Sequence, residues 1–306
     1  MAPRRIHTPR EGDVAPSLRA IGSSTVGDAL RRGISVLSES SEEARTDALI
    51  LLAHVIGRSR EWIVAHGEAS VSKADFSLFI DLCERRRGGE PVAYITGSAW
   101  FYGREFFVNG SVLIPRPESE HLVEEAVAFI REGGNGTLKV LDVGTGSGAI
   151  ACSVAAETNA LVDATDLSPG AIAVARENAR LLEVAARCRF FGGNFVDPVL
   201  GRRYDIVVAN LPYVPTDDLA VAPDSTSFEP RVALDGGADG LEVYRQLLPK
   251  LPALLNEKPM VLLEAAPPTI AKLRELAQAA LPGFAISVGH DYAGLARYLK
   301  AQRNKT

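Results

Sequence analysis

A glycine-rich segment that directly follows a short apolar run constrains the fold of this chain more than any other feature. The run covers residues 139–143, and glycines alternate with small residues in the positions after it, Gly144-Thr145-Gly146-Ser147-Gly148. Glycines in this arrangement permit a tight turn from a strand into a helix, and they let a ligand approach the backbone closely. The segment therefore predicts an open α/β sheet with a ligand site at a strand end.

The rest of the chain after Glu118 agrees with a sheet of this kind. Apolar runs alternate there with helical patterns, which is typical of a mostly parallel sheet with helices on both faces. We predict seven strands, at residues 139–143, 161–165, 189–191, 205–209, 260–264, 284–288 and 295–299. The segment between the last two is too short for a crossover helix, so they should pair antiparallel. This ending departs from the dinucleotide-binding Rossmann fold and is typical of a methyltransferase sheet.

The N-terminal part of the chain has other patterns. Between residues 25 and 90, apolar residues recur at intervals of three and four, which predicts a small helical domain. Residues 91–117 alternate aromatic and β-branched residues around glycines, as a β-hairpin linker does, and residues 118–306 form the main domain. Residues 1–24 are rich in Pro, Arg, Gly and Ser without periodicity, so we expect a disordered extension.

Composition excludes several classes of protein. No apolar run approaches the roughly 20 residues of a membrane span, and the N-terminus lacks a signal-peptide core, so we expect a cytoplasmic protein without a membrane partner. Three separated cysteines and five scattered histidines predict neither a disulfide framework nor a metal site. A net charge of -5 disfavours a stable complex with nucleic acid through phosphate neutralisation. We expect a monomer that acts on a protein.

The glycine segment alone fits two nucleotide cofactors. It satisfies the loose GxGxx(G/A) pattern of NAD sites, and Asp166 ends the next predicted strand about twenty residues on. An acid at that position accepts hydrogen bonds from ribose hydroxyls in either kind of site. Asp142, directly before the turn, can meet a cationic amino group, which a hydride-transferring enzyme does not need. Asp142 therefore favours S-adenosylmethionine over NAD, and a tight turn with solvated acids is the structural alternative.

A second motif, Asn210-Leu211-Pro212-Tyr213, follows the fourth predicted strand. The Asn210 side-chain oxygen and the Leu211 carbonyl can each accept one N–H of a planar NH2 group, and the Tyr213 ring can stack on that group. Orienting such a nitrogen in line with a sulfonium methyl is the main catalytic task. The motif thus predicts methyl transfer to an amide or an exocyclic amine, and a proline-terminated turn with a packed tyrosine is the structural alternative.

Five segments together resemble the release factor glutamine methyltransferases, over residues 25–300. They are Phe101-Tyr102-Gly103 with Phe107-Val108, the stretch from Val112 to Glu120, the glycine turn with Asp142, the Asn210 motif, and the stretch from Phe228 to Leu241. Members of that family transfer a methyl group from S-adenosylmethionine to the side-chain amide nitrogen of the glutamine in the Gly-Gly-Gln motif of class-1 peptide chain release factors. They have a helical N-terminal domain for substrate recognition, a β-hairpin link and a seven-stranded class I methyltransferase domain of Rossmann-like α/β type.

The resemblance also implies which residues form the site. The catalytic residues are Asn210, Leu211, Pro212 and Tyr213. The cofactor-binding residues are Asp142, Gly144, Thr145, Gly146, Gly148, Asp166, Leu167, Asn194, Phe195 and Asn210. The substrate-binding residues are Asn210, Pro212, Tyr213, Arg116 and Glu118. For Arg116 and Glu118, an ion pair that only shapes the loop is an equally good interpretation.

The chain departs from the family pattern at three places. Leu211 replaces the first proline of the usual Asn-Pro-Pro-Tyr, and since only the carbonyl of that residue is needed, function should survive. Asn194 stands where the family commonly has Asp near the adenine amino group, and residues 264–268 replace a glycine-containing turn. Asn-Leu-Pro-Tyr also occurs in rRNA adenine dimethyltransferases, which act on an extruded or unpaired adenine. That family lacks the segments around Arg116 and Gly236, so it is the second hypothesis.

Overall fold

The computed structural model of the chain describes residues 24–133, 136–221 and 224–303. These residues group into two compact units, one ending at Gly88 and the other beginning at Gly89. The extension predicted to be disordered, residues 1–24, lies outside the described residues except for Ser24. Within the described ranges, no helix is both long enough and apolar enough to cross a membrane.

The N-terminal unit is helical. Its elements are β1 (Ser24–Thr25), α1 (Val26–Leu37), α2 (Ala44–Ile56), α3 (Arg60–Ala65), β2 (Ser70–Val71) and α4 (Lys73–Arg87). A capping box starts α1, because the Thr25 hydroxyl accepts from the backbone N–H of Asp28 while the Asp28 carboxylate accepts from that of Thr25. A Cβ at Gly33 would lie 2.3 Å from a ring carbon of Phe79, so glycine permits the close approach of α1 and α4.

The segment predicted to be a hairpin linker contains a short helix before the hairpin. Its elements are α5 (Val92–Thr96), β3 (Ser98–Phe101) and β4 (Arg104–Phe107), and the two strands pair antiparallel. This segment belongs to the larger unit, because Phe101 and Phe106 are buried in the same apolar cluster as residues of the main sheet. Buried aromatic side chains of this size anchor the hairpin to the core.

The larger unit is built on a seven-stranded sheet, which confirms the predicted fold class. The helices and strands that follow the hairpin are α6 (Glu120–Glu132), β5 (Lys139–Val143), α7 (Ala149–Glu157), β6 (Leu161–Asp166), α8 (Pro169–Leu181), β7 (Cys188–Gly192), β8 (Tyr204–Ala209), α9 (Glu242–Leu247), β9 (Leu255–Glu264), α10 (Ile270–Ala280), β10 (Phe284–His290) and β11 (Ala296–Arg303). The strand order is β10-β11-β9-β8-β5-β6-β7. All neighbours are parallel except β11, which pairs antiparallel with both β9 and β10, as the short final connection predicted.

Helices cover both faces of the sheet. Val140 of β5 packs in a cluster with Leu122 of α6, whereas the next residue, Leu141, packs in a second cluster with Leu273 of α10. Successive residues of a strand point to opposite faces, so β5 is apolar on both sides and is an interior strand of the sheet. The chain passes from β5 to β6 on one side and later reaches β8 on the other. This reversal opens a crevice at the carboxyl ends of β5 and β8, where ligands bind in such sheets.

Candidate active site

A cavity of about 170 Å³ lies at the carboxyl ends of β5, β6 and β8. Many of the residues predicted to form the site line it, namely Arg116, Gly144, Thr145, Gly146, Asp166, Leu167, Asn194, Phe195, Asn210 and Leu211. Others do not line it, namely Glu118, Asp142, Gly148, Pro212 and Tyr213. The structure therefore brings the glycine turn and the Asn210 motif, which are far apart in sequence, to a single cavity.

The glycine turn has a backbone that only glycine adopts readily. The φ angles of Gly144, Gly146 and Gly148 are 75°, 55° and 79°, in the left-handed region. The backbone N–H groups of Gly144 and Thr145 both donate to the carbonyl oxygen of Thr165 at 2.9 Å, which ties the turn to the end of β6. Nothing lies within 4 Å of the place where a Cβ would sit at Gly146. The backbone there is open, as a ligand packed against the turn requires.

Asp142 lies beneath the turn and is only 1% exposed. The Thr145 hydroxyl donates to its carboxylate at 2.6 Å. Burial outweighs this hydrogen bond and raises the pKa of Asp142 to about 6. The carboxylate therefore supports the turn from within the core. Its predicted contact with a cationic amino group stays a prediction.

Asp166 ends β6 and faces the cavity. One carboxylate oxygen accepts from the backbone N–H of Gly146 at 2.9 Å, and the other accepts from that of Ser168 at 2.8 Å. Burial raises the pKa of Asp166, and these backbone hydrogen bonds oppose that rise. A carboxylate has about four acceptor positions, so Asp166 can bind the turn and still accept hydroxyl groups of a ligand.

Asn194 and Phe195 follow β7 and line the same cavity. Phe195 has a φ of 46°, which is unusual for a residue with a bulky side chain. The ring packs against the apolar cluster on one face of the sheet, and the Lys250 ammonium lies 5.8 Å from its centroid. Backbone strain of this kind concentrates at ligand sites, where the surrounding packing maintains it. The strain is consistent with the predicted role of both residues beside a cofactor.

The Asn210 amide is fixed by a residue from another part of the chain. Its Nδ2 donates to the Ser119 hydroxyl oxygen at 2.9 Å. Ser119 precedes α6 and is almost fully buried. Among the described residues, no hydrogen bond reaches Asn210 Oδ1. The amide nitrogen is therefore occupied, and the oxygen is the acceptor that remains for a ligand.

Tyr244 of α9 holds the backbone on both sides of Asn210. Its buried hydroxyl lies within hydrogen-bond distance of the carbonyl oxygens of Ala209 and Glu264, and it accepts from the backbone N–H of Leu211 at 3.4 Å. These atoms belong to the ends of the neighbouring strands β8 and β9. Tyr244 thereby fixes the loop on which Asn210 and Leu211 lie.

Tyr213 does not line this cavity. Its hydroxyl donates to Glu264 Oε1 at 3.5 Å, which is a long hydrogen bond. Burial raises the pKa of Tyr213 well above its ordinary value, so the hydroxyl stays protonated and acts as a donor. Glu264 itself is 2% exposed, and its second oxygen, Oε2, has no hydrogen-bond partner among the described residues.

Arg116 and Glu118 do not pair with each other. Arg116 donates to Glu229 at 2.5 Å, and Glu118 lies 3.5 Å from Arg297 of β11. Glu229 is buried, so its ion pair with Arg116 holds the segment around Glu229 beside the cavity that Arg116 lines. Of the two interpretations of Arg116 and Glu118, the ion pair between them was wrong, because each side chain reaches a distant segment instead, and their contact with a substrate stays a prediction.

Sequence reasoning missed four residues that support the site, namely Ser119, Glu229, Tyr244 and Glu264. A signal existed for Glu264, which ends a predicted strand next to the one that precedes Asn210. The same rule of acids at strand ends had identified Asp142 and Asp166. Ser119 and Tyr244 gave no such signal, because their roles depend on contacts between segments far apart in the chain.

Comparison with known proteins identifies relatives of both parts of the chain. Residues 28–97 match the model of the PrmC N-terminal domain, and residues 120–223 match that of the methyltransferase small domain. A release factor glutamine methyltransferase from Moorella thermoacetica is 38% identical over 281 residues, covering 92% of this chain and 98% of the relative. One from Bacillus subtilis is 36% identical over 289 residues, covering 92% of this chain and 99% of the relative.

Among solved structures, a 16S rRNA methyltransferase from T. thermophilus in complex with AdoMet and guanosine is similar to this chain. Its TM-score is 0.50 at 20% sequence identity, and the match covers 68% of this chain and 50% of that one. At this identity the similarity concerns the fold alone. It agrees with a methyltransferase sheet in the larger unit.

Proposed function

The chain belongs to the release factor glutamine methyltransferases, and from this premise we propose how its residues perform the reaction. The enzyme transfers a methyl group from S-adenosylmethionine to a glutamine of a peptide chain release factor. We assign the acceptor as the side-chain amide nitrogen of the glutamine in the Gly-Gly-Gln motif of class-1 factors. The observation that carries this assignment is the amide of Asn210, a residue that lines the cavity, because its nitrogen is held by Ser119 and its oxygen is left as an acceptor.

Two acceptors recognise the substrate amide in this proposal. Asn210 Oδ1 takes one N–H of the glutamine, and the carbonyl oxygen of Leu211 takes the other. Among the described residues, no hydrogen bond reaches that carbonyl, and the proline that follows has no N–H of its own to compete. With both protons engaged, the nitrogen has one orientation, and its lone pair is directed towards the methyl group.

The glycine turn and its acids hold the cofactor. Gly144 and Gly146 let it approach the backbone, Asp166 accepts the ribose hydroxyls, and Asn194 offers an acceptor oxygen for the adenine amino group. S-adenosylmethionine supplies a methyl group on a sulfonium centre, which carries its own leaving group. The protein therefore needs no nucleophile and contributes orientation, an apolar wall and exclusion of water.

The helical unit, residues 25–90, is proposed as the part that recognises the release factor. Support comes from its match to the PrmC N-terminal domain, over residues 28–97. We propose a cytoplasmic monomer that needs no RNA, since the net charge of -5 does not favour binding through phosphate groups.

Mass spectrometry of a purified class-1 release factor tests the function. The factor is incubated with the enzyme and S-adenosylmethionine labelled in its methyl group, with and without ribonuclease. Label on the glutamine of Gly-Gly-Gln, unaffected by ribonuclease, is the expected result. A factor with Gln→Ala at that position is the matched control and should take up no label. Label in naked rRNA at a comparable rate, with none in the factor, would instead indicate an adenine methyltransferase.

A further inference from the structure

Glu264 lies next to Asn210 in the sheet, although the two are far apart in sequence. Ala209 and Leu263 are partners in the register of β8 and β9, so Asn210, which follows β8, lies beside Glu264, the last residue of β9. Ser119 lies between the two side chains: its oxygen accepts from Asn210 Nδ2, and its hydroxyl is close enough to the Glu264 carboxylate to lower the pKa of that group. Both Ser119 and Glu264 are nearly inaccessible to solvent, so bulk water does not compete with this chain of contacts.

We infer that Glu264 is a positioning residue whose ionised carboxylate sets the direction of the hydrogen bonds through Ser119 to Asn210, and so keeps the Asn210 amide oxygen towards the substrate. The inference rests on the proposed function, since it concerns the acceptor that holds the glutamine amide. Glu264 does not touch the substrate. It acts through the two side chains in front of it.

The direction of these hydrogen bonds follows from the number of protons that Glu264, Ser119 and Asn210 can each donate. An ionised carboxylate can only accept, so the single hydroxyl proton of Ser119 is donated to Glu264. The Ser119 oxygen then has only acceptor capacity left, and it takes a proton from Asn210 Nδ2, as observed at 2.9 Å. The amide oxygen is thereby forced to the other side, where the substrate N–H groups arrive.

Protonation of Glu264 removes this constraint. A carboxylic acid can donate to Ser119, whose own proton is then free to be donated to Asn210 Oδ1. The Asn210 amide can turn over and present its NH2 group to the substrate NH2 group. Two donors facing each other form no hydrogen bond, and burying them unpaired is unfavourable. Methyl transfer should therefore require the ionised form of Glu264.

The groups around Glu264 bring its pKa into the pH range over which the rate of methyl transfer can be measured. Burial raises its pKa to about 7, and the charge of Glu118 acts in the same direction. The Ser119 and Tyr213 hydroxyls and the charge of Arg297 on β11 lower it. The hydroxyl of Tyr244, from α9, donates to the backbone oxygen of Glu264 and does not bind the carboxylate.

Single-turnover rates of methyl transfer to the release factor, at saturating cofactor from about pH 5.5 to about pH 9, test the inference. The unmodified enzyme should lose about tenfold in rate for each pH unit below about 7. Glu264→Gln should lose this acid dependence and stay slow at every pH, because its amide, like the protonated acid, can donate to Ser119. Saturating cofactor is needed because Asp142, beneath the glycine turn, has a pKa of about 6.

Two further variants separate positioning from a merely structural role. Ser119→Ala removes the link between Glu264 and Asn210. It should lower the rate of methyl transfer at high pH by about tenfold or more and leave cofactor affinity, measured by calorimetry, unchanged. Glu125→Gln is the matched control, since Glu125 lies on the neighbouring helix α6 and, among the described residues, its carboxylate bonds only to Tyr298 and Lys300. It should keep the acid dependence of the unmodified enzyme.

An acid dependence that persists in Glu264→Gln overturns the inference, as does a Ser119→Ala variant with normal turnover. If Glu264→Gln fails to fold, the Ser119→Ala rates still decide the matter. Failure of the proposed function has a different outcome, because the unmodified enzyme would then leave the release factor glutamine unlabelled even at high pH.

Discussion

The side chain of Leu211 fills the space that a Cβ at Gly144 would need. A Cβ built at Gly144 would lie 2.6 Å from Leu211 Cδ2, well inside van der Waals contact. The two residues follow adjacent strands, β5 and β8, and belong to the two motifs of the site. Leucine therefore does more here than supply a carbonyl in place of the usual proline. It packs the substrate loop onto the cofactor turn, so the two halves of the site cannot move independently.

Replacement of Gly144 tests this packing. In Gly144→Ala we expect a loss of about 1 kcal/mol or more from the positive φ, and a further loss from the clash with Leu211. Gly103→Ala is the matched control, because Gly103 has a φ of 69° but open space around it. Both variants should be less stable in denaturant unfolding, and only Gly144→Ala should also bind cofactor at least about tenfold more weakly by calorimetry. Equal cofactor affinity in the two variants would mean that packing against Leu211 does not fix the conformation of the glycine turn.

Asp166 should contribute to cofactor affinity. Asp166→Ala removes an acceptor for ribose hydroxyls and two backbone hydrogen bonds, one of which, from Gly146, holds the glycine turn to β6. We expect S-adenosylmethionine to bind about 1 to 3 kcal/mol more weakly, the usual loss for a hydrogen bond to a charged group. Calorimetry measures the change directly. If the unmodified protein bound NAD more tightly than S-adenosylmethionine, the assignment of this site would be wrong.

Asn210 should affect turnover and not cofactor affinity. Asn210→Ala removes the acceptor for the substrate amide, and we expect kcat to fall about a hundredfold or more. Asn210→Asp keeps an acceptor but loses the N–H that binds Ser119, so Ser119 would face two carboxylates. Reduced but measurable activity is the expected result for Asp. Single-turnover assays compare the two, and a normal rate in Asn210→Ala would exclude the loop from the reaction.

The ring of Tyr213 should matter more than its hydroxyl. The only hydrogen bond that the hydroxyl makes among the described residues is the long one to Glu264, at 3.5 Å. Tyr213→Phe should therefore keep most of the activity, whereas Tyr213→Ala, which loses the predicted stacking on the substrate amide, worth about 1 kcal/mol, and leaves a gap in the substrate loop, should lose most of it. Single-turnover rates distinguish the two. Equally low rates in Tyr213→Phe and Tyr213→Ala would indicate a role for the hydroxyl.

Glu264 should reduce stability at neutral pH. Its pKa is raised from 4.5 to about 7 in the folded protein, so the folded state holds a proton that the unfolded state has released between these values. The free energy of unfolding should therefore fall as the pH rises through this range, by about 3 kcal/mol in total from this group. In Glu264→Gln that fall should be absent. Urea unfolding at several pH values measures the difference, and parallel curves for the two proteins would contradict the prediction.

Sequence patterns predicted the sheet well because its rules are local. Apolar runs, their spacing and the short connection before β11 were sufficient for seven strands and the final antiparallel pair. The glycine turn and the Asn210 motif were likewise visible, since strand ends in such sheets meet at one edge. The short helix α5 was missed within the segment predicted as a hairpin linker, because five helical residues give too little periodicity to recognise.

The contacts that hold the site residues in place could not be predicted in the same way. Ser119 meets Asn210 only because the turn before α6 lies beside the end of β8, a contact across 91 positions of the chain. The partners of Arg116 and Glu118 were mistaken for the same reason, since nearness in sequence suggested a pair that the fold separates. Contacts of this kind depend on how the elements pack, and no pattern within one segment contains that information.

The position of β11 affects when this protein can become active during its own synthesis. Although it is the last strand among the described residues, β11 lies inside the sheet, hydrogen-bonded to β9 on one side and β10 on the other. A nascent chain that has emerged from the ribosome only as far as β10 has an unpaired β9 edge and lacks Arg297, which faces Glu118 and Glu264. Domains fold as units once their residues are available. An enzyme that modifies the factors ending translation would thus complete its own active site only after β11 has been translated and has paired with β9.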